Sequence, residues 1–216
     1  MKILLFLFLV LNLYSLDIID KPINFDQQRL NLSQRYIFEH YGLEPKDITI
    51  EPRIIVIHWT AENDFNKSFN HFKNSILAYD RIEIRKASAL NVSAHFLIAR
   101  EGTIYRLMPE NHMARHVIGL NYSTIAIENV GGEKNLDNLT PLQFQANIQL
   151  INYLKKKFQN IQYLIGHHEY KNCQDLSLWL EKDKNYKTLK HDPGAKFMKA
   201  LRDELPNFKS CSKTIQ

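Results

Sequence analysis

The sequence contains no internal repeat and no low-complexity segment, and this absence excludes solenoid and fibrous architectures. Its longest apolar run, Ile3 to Leu13, is too short to span a bilayer comfortably. Its lysines are scattered rather than clustered, so the formal net charge of +5 does not indicate nucleic-acid binding. What remains is a chain of 216 residues, 44% hydrophobic and 24% charged, which is typical of one globular domain with a small extension.

The first residues have the charged start and the short apolar core of a secretory signal. We therefore predict a signal peptide over residues 1–15 and an exported, periplasmic mature protein without stable membrane insertion; an uncleaved, membrane-anchoring start is the alternative. No cysteine lies near the end of the apolar run, which excludes a lipid anchor at that place. Cleavage near Ser15 would remove Lys2 and no acid, which leaves a net charge of +4, 27 basic minus 23 acidic residues.

Cysteine is scarce, since Cys173 and Cys211 are the only two in the chain. In an oxidising compartment these two residues can form a disulfide that joins the long segment after His168 to the C-terminus. The sequence alone leaves this pairing open.

The order of apolar patterns predicts an α/β fold with a central mixed sheet flanked by helices and a small helical N-terminal extension. Strands are predicted at Ile54–Ile57, Thr124–Val130 and Tyr163–Gly166, and a hairpin at Val92–Arg100 and Thr103–Met108. Helices are predicted at Leu32–Tyr41, within residues 64–90 and at Ala195–Leu205. The predicted domains are an extension over 16–50, a main domain over 51–206 and a tail over 207–216.

The longest predicted helix has a well-marked start. Thr140 is a suitable N-cap, Pro141 suits the first turn, and Gln143 completes a capping box. Leu139 and Phe144 can form a hydrophobic staple across this start. One apolar stripe of this helix must pack on the sheet, and it consists of Phe144, Ile148, Ile151, Leu154 and Phe158.

Two of the predicted strands run directly into histidine. "RIIVIHWT" places His58 after one aliphatic run, and "YLIGHHEY" places His167 and His168 after another. Any single histidine of this kind is usually a partly buried side chain bonded to the backbone. Two in matching contexts favour a shared site, because ligands tend to bind where neighbouring strands end.

"KHDPG" supplies a third candidate. Pro193 disfavours helix at Asp192, so this carboxylate is displayed from an extended loop. Asp-Pro-Gly alone is most often a turn. With a histidine from each of the two strands, however, it completes a set of two imidazoles and one carboxylate, which leaves the fourth position of a zinc ion open for water.

The sequence resembles zinc-dependent N-acetylmuramoyl-L-alanine amidases of the type 2 amidase fold, which peptidoglycan recognition proteins share. The resemblance rests on five blocks in the family's order, over roughly residues 50 to 200: "IIVIHWTA", "VSAHFLIAREGTIYRLMPENHMARH", "STIAIENVG", "IGHH" and "KHDPG". It implies hydrolysis of the amide between N-acetylmuramic acid and L-alanine in bacterial peptidoglycan or muropeptides.

The same resemblance implies the roles of single residues. His58, His167 and Asp192 match the three ligands of one Zn²⁺ ion, while Glu128 matches the catalytic glutamate and Lys190 the catalytic lysine. In this chemistry zinc lowers the pKa of a bound water to about 7. Glu128 acts as general base and then acid, and Lys190 stabilises the oxyanion.

Other positions stay open at this stage. His168 is the rival of His167, because a shift of one residue would exchange the side chain that faces the metal. His95, His116 and Trp59 are candidates for substrate contact, and the two histidines can equally brace the core. The 24 residues between His167 and Asp192 exceed what is usual in the simpler bacterial members of the family.

Three functions are compatible with these features. The first is an exported amidase that acts on peptidoglycan. The second is a binding module that holds peptidoglycan without cutting it; the complete set of matching ligand and catalytic residues argues against it. The third is an amidase of soluble anhydro-muropeptides, against which the apolar leader argues.

Overall fold

In the part of the chain that the structure describes, six strands form one mixed sheet in the order β1-β4-β3-β5-β2-β6. A computed structural model describes residues 16–211, so the predicted signal peptide lies outside the described residues. The strands are β1 Ile18–Asp20, β2 Ile54–Trp59, β3 Phe96–Ile98, β4 Ile104–Arg106, β5 Thr124–Asn129 and β6 Tyr163–Gly166. Strand β4 runs antiparallel to β3, and the other neighbouring pairs are parallel. The predicted mixed sheet and the predicted hairpin are therefore confirmed.

The helices cover both faces of this sheet. They are α1 Gln27–Tyr36, α2 Phe65–Lys73, α3 Ile82–Arg85, α4 Pro141–Lys157 and α5 Ala195–Glu204. A π-helix, Ile37–Tyr41, continues α1, and 3-10 helices lie at Asn121–Ser123, Glu133–Asn135 and His167–Cys173. Within residues 16–211, none of these helices combines the length and the apolar character needed to cross a bilayer.

The central strand β2 is buried on both sides. Ile55 and Ile57 pack in the core beneath α4 and α5, whereas Ile54 and Val56 pack on the opposite face of the sheet. Because side chains alternate along a strand, His58 lies on the face of Ile54 and Val56, away from α4. Burial on both faces explains why this strand is almost continuously aliphatic.

The start of α4 has the predicted capping box. The Thr140 hydroxyl accepts from the backbone N–H of Gln143 at 3.1 Å, and the Gln143 side chain accepts from the N–H of Thr140 at 3.0 Å. Such a cap stabilises a helix by about 1 kcal/mol. The predicted stripe does face the sheet: Ile151 and Leu154 are buried, and Phe144 packs half-buried against the same core.

Three sequence predictions need correction. The predicted helix over 32–41 begins earlier, at Gln27, because the carboxylate of Asp26 caps it by accepting from the N–H of Arg29. The extension also contributes the edge strand β1, which no pattern indicated. Strand β2 continues through Trp59, so His58 lies inside the strand rather than after its end.

The N-terminal extension holds the segment that follows α2. The buried Arg29 guanidinium donates to the backbone carbonyls of Phe72 and Asn74 at 2.9 and 2.6 Å. His40 bonds the buried Glu181 carboxylate through Nδ1 at 2.9 Å and lies 3.1 Å from the Ala87 carbonyl through Nε2. The extension therefore fixes one wall of the groove described below.

Cys173 and Cys211 form a disulfide, as the sequence allowed. It joins the end of the 3-10 helix that begins at His167 to the last described residue and closes a loop with a sequence separation of 38. Replacing both cysteines with serine is expected to lower the free energy of unfolding by about 3–4 kcal/mol, because the unfolded chain regains loop entropy. Denaturant titration measures this difference. Wild type in reductant is the matched comparison, and coincident curves for oxidised and reduced protein would contradict the expectation.

Candidate metal centre

Three side chains from distant parts of the chain meet at one buried point. His58 Nδ1 lies 2.9 Å from His167 Nδ1 and 3.1 Å from Asp192 Oδ2, and His167 Nδ1 lies 3.0 Å from the same oxygen. All three residues are buried, with 2–8% of their surface exposed. Together they form a group that can hold a metal ion.

Hydrogen bonds alone do not satisfy this triangle. A ring nitrogen presents either one hydrogen or one lone pair in a single direction, so His58 Nδ1 cannot donate well along both short edges. Three donor atoms that converge on one point are instead suited to a shared cation. In a tetrahedral zinc site, ligand atoms about 2.0–2.1 Å from the metal lie about 3.3 Å apart, close to the edges found here.

The electrostatics of the triangle agree with this interpretation. Burial lowers the pKa of His167 to about 4, which leaves the imidazole neutral at pH 7, the form that binds metals. Burial would raise the pKa of Asp192, but its contacts with His167 and His58 hold that pKa well below the usual range. The site therefore presents a carboxylate, a charged ligand type that suits a divalent cation.

The sheet order brings the triangle together. Strands β2 and β6 are parallel neighbours with Ile57 opposite Gly166, so His58 and the residue after β6 lie at the same end of the sheet. That residue, His167, enters the triangle. His168 does not belong to the triangle. Its backbone N–H donates to the carbonyl oxygen of Asp192, and its ring Nδ1 lies 2.9 Å from the same oxygen.

Glu128 stands beside the triangle on β5. It is the register partner of His58, so both side chains lie on the same face of the sheet. The prediction that Glu128 shares this face with Ala126 and Val130 is confirmed, since both pack away from the core beneath α4. Burial, and then the charge of Asp192, raise the pKa of Glu128 well above its usual value, and its Oε2 has no hydrogen-bond partner among the described residues.

The triangle and Glu128 open into a groove with a volume of about 600 Å³. Lys190 is half-buried in its wall, and its charge opposes the rise in the pKa of Glu128. Arg81 lines the same groove and acts on Glu128 in the same direction. Sequence reasoning missed Arg81, because it lies in the irregular segment before α3 where no pattern marks it.

The three candidates for substrate contact have different positions. Trp59 lines the groove and is almost fully buried, and it packs so closely on Gly132 that a Cβ there would collide with its ring. His116 lines the groove, and its Nδ1 also lies within hydrogen-bond distance of His58 Nε2, at 3.0 Å. His95 is fully buried: its Nδ1 accepts from the Ala126 N–H and its Nε2 bonds the His112 carbonyl, which favours bracing of the core.

Comparison with known proteins finds the same fold in solved structures and related sequences among phage proteins. The structure is similar to the N-acetylmuramoyl-L-alanine amidase LysC from Clostridium intestinale URNW, with a TM-score of 0.56 and 23% identity over 90% of this chain and 100% of LysC. In sequence the chain is 35% identical over 102 residues to the endolysin of Escherichia phage T7, which covers 44% of this chain and 67% of the endolysin. The endolysin of Klebsiella phage KP32 is 34% identical over the same shares.

The family model described as N-acetylmuramoyl-L-alanine amidase matches residues 48–194 and so spans most of the chain, including the groove and the triangle. The chain belongs to this family, and the resemblance inferred from its sequence blocks is confirmed. Its activity is accordingly that of a peptidoglycan amidase, an enzyme rather than a binding module.

Proposed function

We propose that the protein is an exported, zinc-dependent amidase that cleaves the bond between N-acetylmuramic acid and L-alanine in the cell wall. The observation that carries the proposal is the buried triangle of His58, His167 and Asp192 at the floor of the groove. Two neutral imidazoles and one carboxylate are the donor set of catalytic zinc sites with an open fourth position. When bound, zinc would supply Lewis-acid polarisation and activation of water near neutral pH.

In this proposal Glu128 moves the proton. Its Oε2 is buried, lies on the face of the proposed ligands and has no hydrogen-bond partner within residues 16–211, so it is placed to take a proton from the attacking water. The same carboxyl then gives that proton to the nitrogen of the departing L-alanine. A pKa raised above the usual carboxyl range suits a group that must both accept and return a proton near neutral pH.

Lys190 is the proposed partner of the oxyanion. Lys190 lines the groove two residues before Asp192, and its positive charge already acts on Glu128, so a carbonyl oxygen that gains negative charge beside the triangle would be stabilised by this cation. Trp59 is the proposed substrate contact in the same groove, because it is one of the residues that line it. Nothing in this chemistry requires a nucleophilic serine or cysteine.

The proposed substrate is the intact wall rather than soluble fragments. A disulfide persists in oxidising compartments, which supports export and therefore access to the wall. Two apolar residues that line the groove are also exposed to solvent: Ile76 is 43% exposed and Leu189 is 75% exposed. Exposed apolar surface around a groove supports a substrate that extends past the scissile amide.

One experiment tests the function as a whole. Purified protein with a measured zinc content is incubated with sacculi and with soluble muropeptides, with and without a chelator, and newly freed L-alanine amino termini are counted. We expect release from both, faster turnover of sacculi, and loss of release on chelation that added zinc restores. Zinc-loaded protein that binds sacculi and frees no amino termini would refute the catalytic proposal. Activity confined to soluble fragments would refute the proposed substrate.

A further inference from the structure

A line of hydrogen bonds runs from the metal triangle into the core. His58 Nε2 lies 3.0 Å from His116 Nδ1, and His116 Nε2 lies 2.8 Å from Thr124 Oγ1. Thr124 is the fully buried first residue of β5, the strand that also carries Glu128. The chain Thr124–His116–His58 therefore connects the sheet to the ring nitrogen opposite the triangle.

The orientation of His116 is fixed from several sides. The backbone N–H groups of His116 and Val117 both donate to the Asn121 side-chain oxygen, at 2.9 and 2.8 Å. The rings of His58 and His116 meet edge to face, with centroids 5.1 Å apart and planes at 79°. His116 is therefore held with each ring nitrogen facing one defined partner.

The partners determine where each proton can lie. A metal at His58 Nδ1 requires a lone pair there, which places the ring hydrogen on Nε2. That hydrogen points at His116 Nδ1, which must then accept, so the hydrogen of a neutral His116 lies on Nε2 and donates to the Thr124 hydroxyl oxygen. With a metal bound, this arrangement of hydrogens satisfies all three members of the hydrogen-bonded series His58, His116 and Thr124.

The same atoms allow one other arrangement. Without a metal, Asp192 Oδ2 is an acceptor 3.1 Å from His58 Nδ1, and this favours a hydrogen on Nδ1. His58 Nε2 then accepts from His116 Nδ1–H, and His116 Nε2 accepts from the Thr124 hydroxyl. All hydrogen bonds of the chain point in the opposite direction.

We propose that His116 and Thr124 are positioning residues for the metal ligand His58, and that the hydrogen bonds of this chain reverse direction when the metal binds. The inference rests on the proposed metal site and adds residues to it. Partners of this kind fix the tautomer and the ring orientation of a ligating histidine, and their loss typically weakens metal binding about 10–100-fold.

Zinc affinity tests the positioning role directly. His116→Ala is expected to weaken zinc binding about 10–100-fold in competition with a fluorescent chelator. His116→Asn, whose side-chain oxygen can take the place of Nδ1 as acceptor, is expected to recover most of that loss. Thr124→Val is expected to weaken binding less than His116→Ala. The control is His71→Ala, an exposed histidine of α2 at the groove, which should bind zinc like wild type.

The reversal has a spectroscopic signature in the wild-type protein. Long-range ¹H–¹⁵N spectra of the imidazoles identify which nitrogen carries the hydrogen. We expect hydrogen on Nδ1 of His58 and His116 in zinc-free protein, and on Nε2 of both rings after one equivalent of zinc. This measurement remains available if His116→Ala does not fold.

The outcomes separate this inference from the proposed function. A protein that binds no zinc would remove the basis of the proposed metal site itself. A protein that binds zinc with unchanged affinity in His116→Ala, or whose His116 keeps one tautomer in both states, would overturn the positioning role and leave the amidase proposal intact.

Discussion

Replacing Glu128 with glutamine is expected to lower kcat at least about a hundredfold while the protein keeps its zinc. Glutamine has nearly the shape of glutamate, so the groove and the neighbouring triangle should be preserved. It cannot accept a proton, however, and the proposed chemistry depends on that step. Glu128→Ala is expected to behave alike, with zinc bound and activity lost. Zinc content by mass spectrometry and kcat on a defined muropeptide measure the two effects separately.

The matched control is Glu133→Gln, since Glu133 is an exposed glutamate on the turn after β5. This variant should retain both zinc and activity. A metal-free Glu128→Gln protein would mean that Glu128 is a ligand, and an active one would mean that another group moves the proton. Either result would change the assigned role.

Glu128→Gln should be more stable than wild type at neutral pH when both proteins are metal-free. The pKa of Glu128 is raised in the folded state by burial and by Asp192, so the folded protein holds its proton more tightly than the unfolded chain. Stability that this group contributes at low pH is therefore lost as the pH rises through the folded pKa. Glutamine does not titrate, so the advantage of the variant should shrink as the pH is lowered. Denaturant unfolding of both proteins at pH 4 and pH 7 measures this difference in the free energy of unfolding.

Local features of the fold could be predicted from the sequence because neighbouring residues determine them. The capping box of Thr140 and Gln143 needs only a spacing of three residues, and the structure has it with both bonds. The alternation along β5 likewise placed Glu128 on the face of Ala126. Each of these predictions depends on a period that the backbone imposes over a few residues.

Contacts between distant segments explain what the sequence did not indicate. The three residues of β1 become a strand only because Ile18, Ile19 and Asp20 pair with β4 about 86 residues later. Such a short segment carries too little pattern to predict a strand. The hydrogen bond between His116 and His58 is also a contact between distant segments. His116 lies in a loop whose path depends on the residues that it contacts.

The proposed metal ligands were only partly predictable from the sequence. The residue types of His58, His167 and Asp192 and the strands before two of them were visible in the sequence, and the family resemblance named the set. Their convergence, however, depends on β6 lying beside β2, an order that no local pattern specifies. The choice between His167 and His168 depends on one residue of register, which only the folded backbone defines.

The two adjacent histidines therefore give the sharpest test of the site. His167→Ala removes a nitrogen from the triangle, whereas His168→Ala removes a side chain that lies 2.9 Å from the Asp192 carbonyl. If a binding free energy of about 10–16 kcal/mol is shared by three ligands, losing one costs about 4 kcal/mol, or about a thousandfold in affinity. His58→Ala is expected to have the same effect.

His168→Ala should weaken zinc binding tenfold or less. It loses one hydrogen bond, worth about 1 kcal/mol, while the backbone N–H of residue 168 still donates to the Asp192 carbonyl and holds that loop. Competition with a chelator of known affinity measures both variants on one scale, and circular dichroism of the zinc-free proteins checks that each is folded. A reversed order, with His168→Ala losing the metal and His167→Ala keeping it, would place the other imidazole at the ion, because the backbone after β6 would then be turned by one residue.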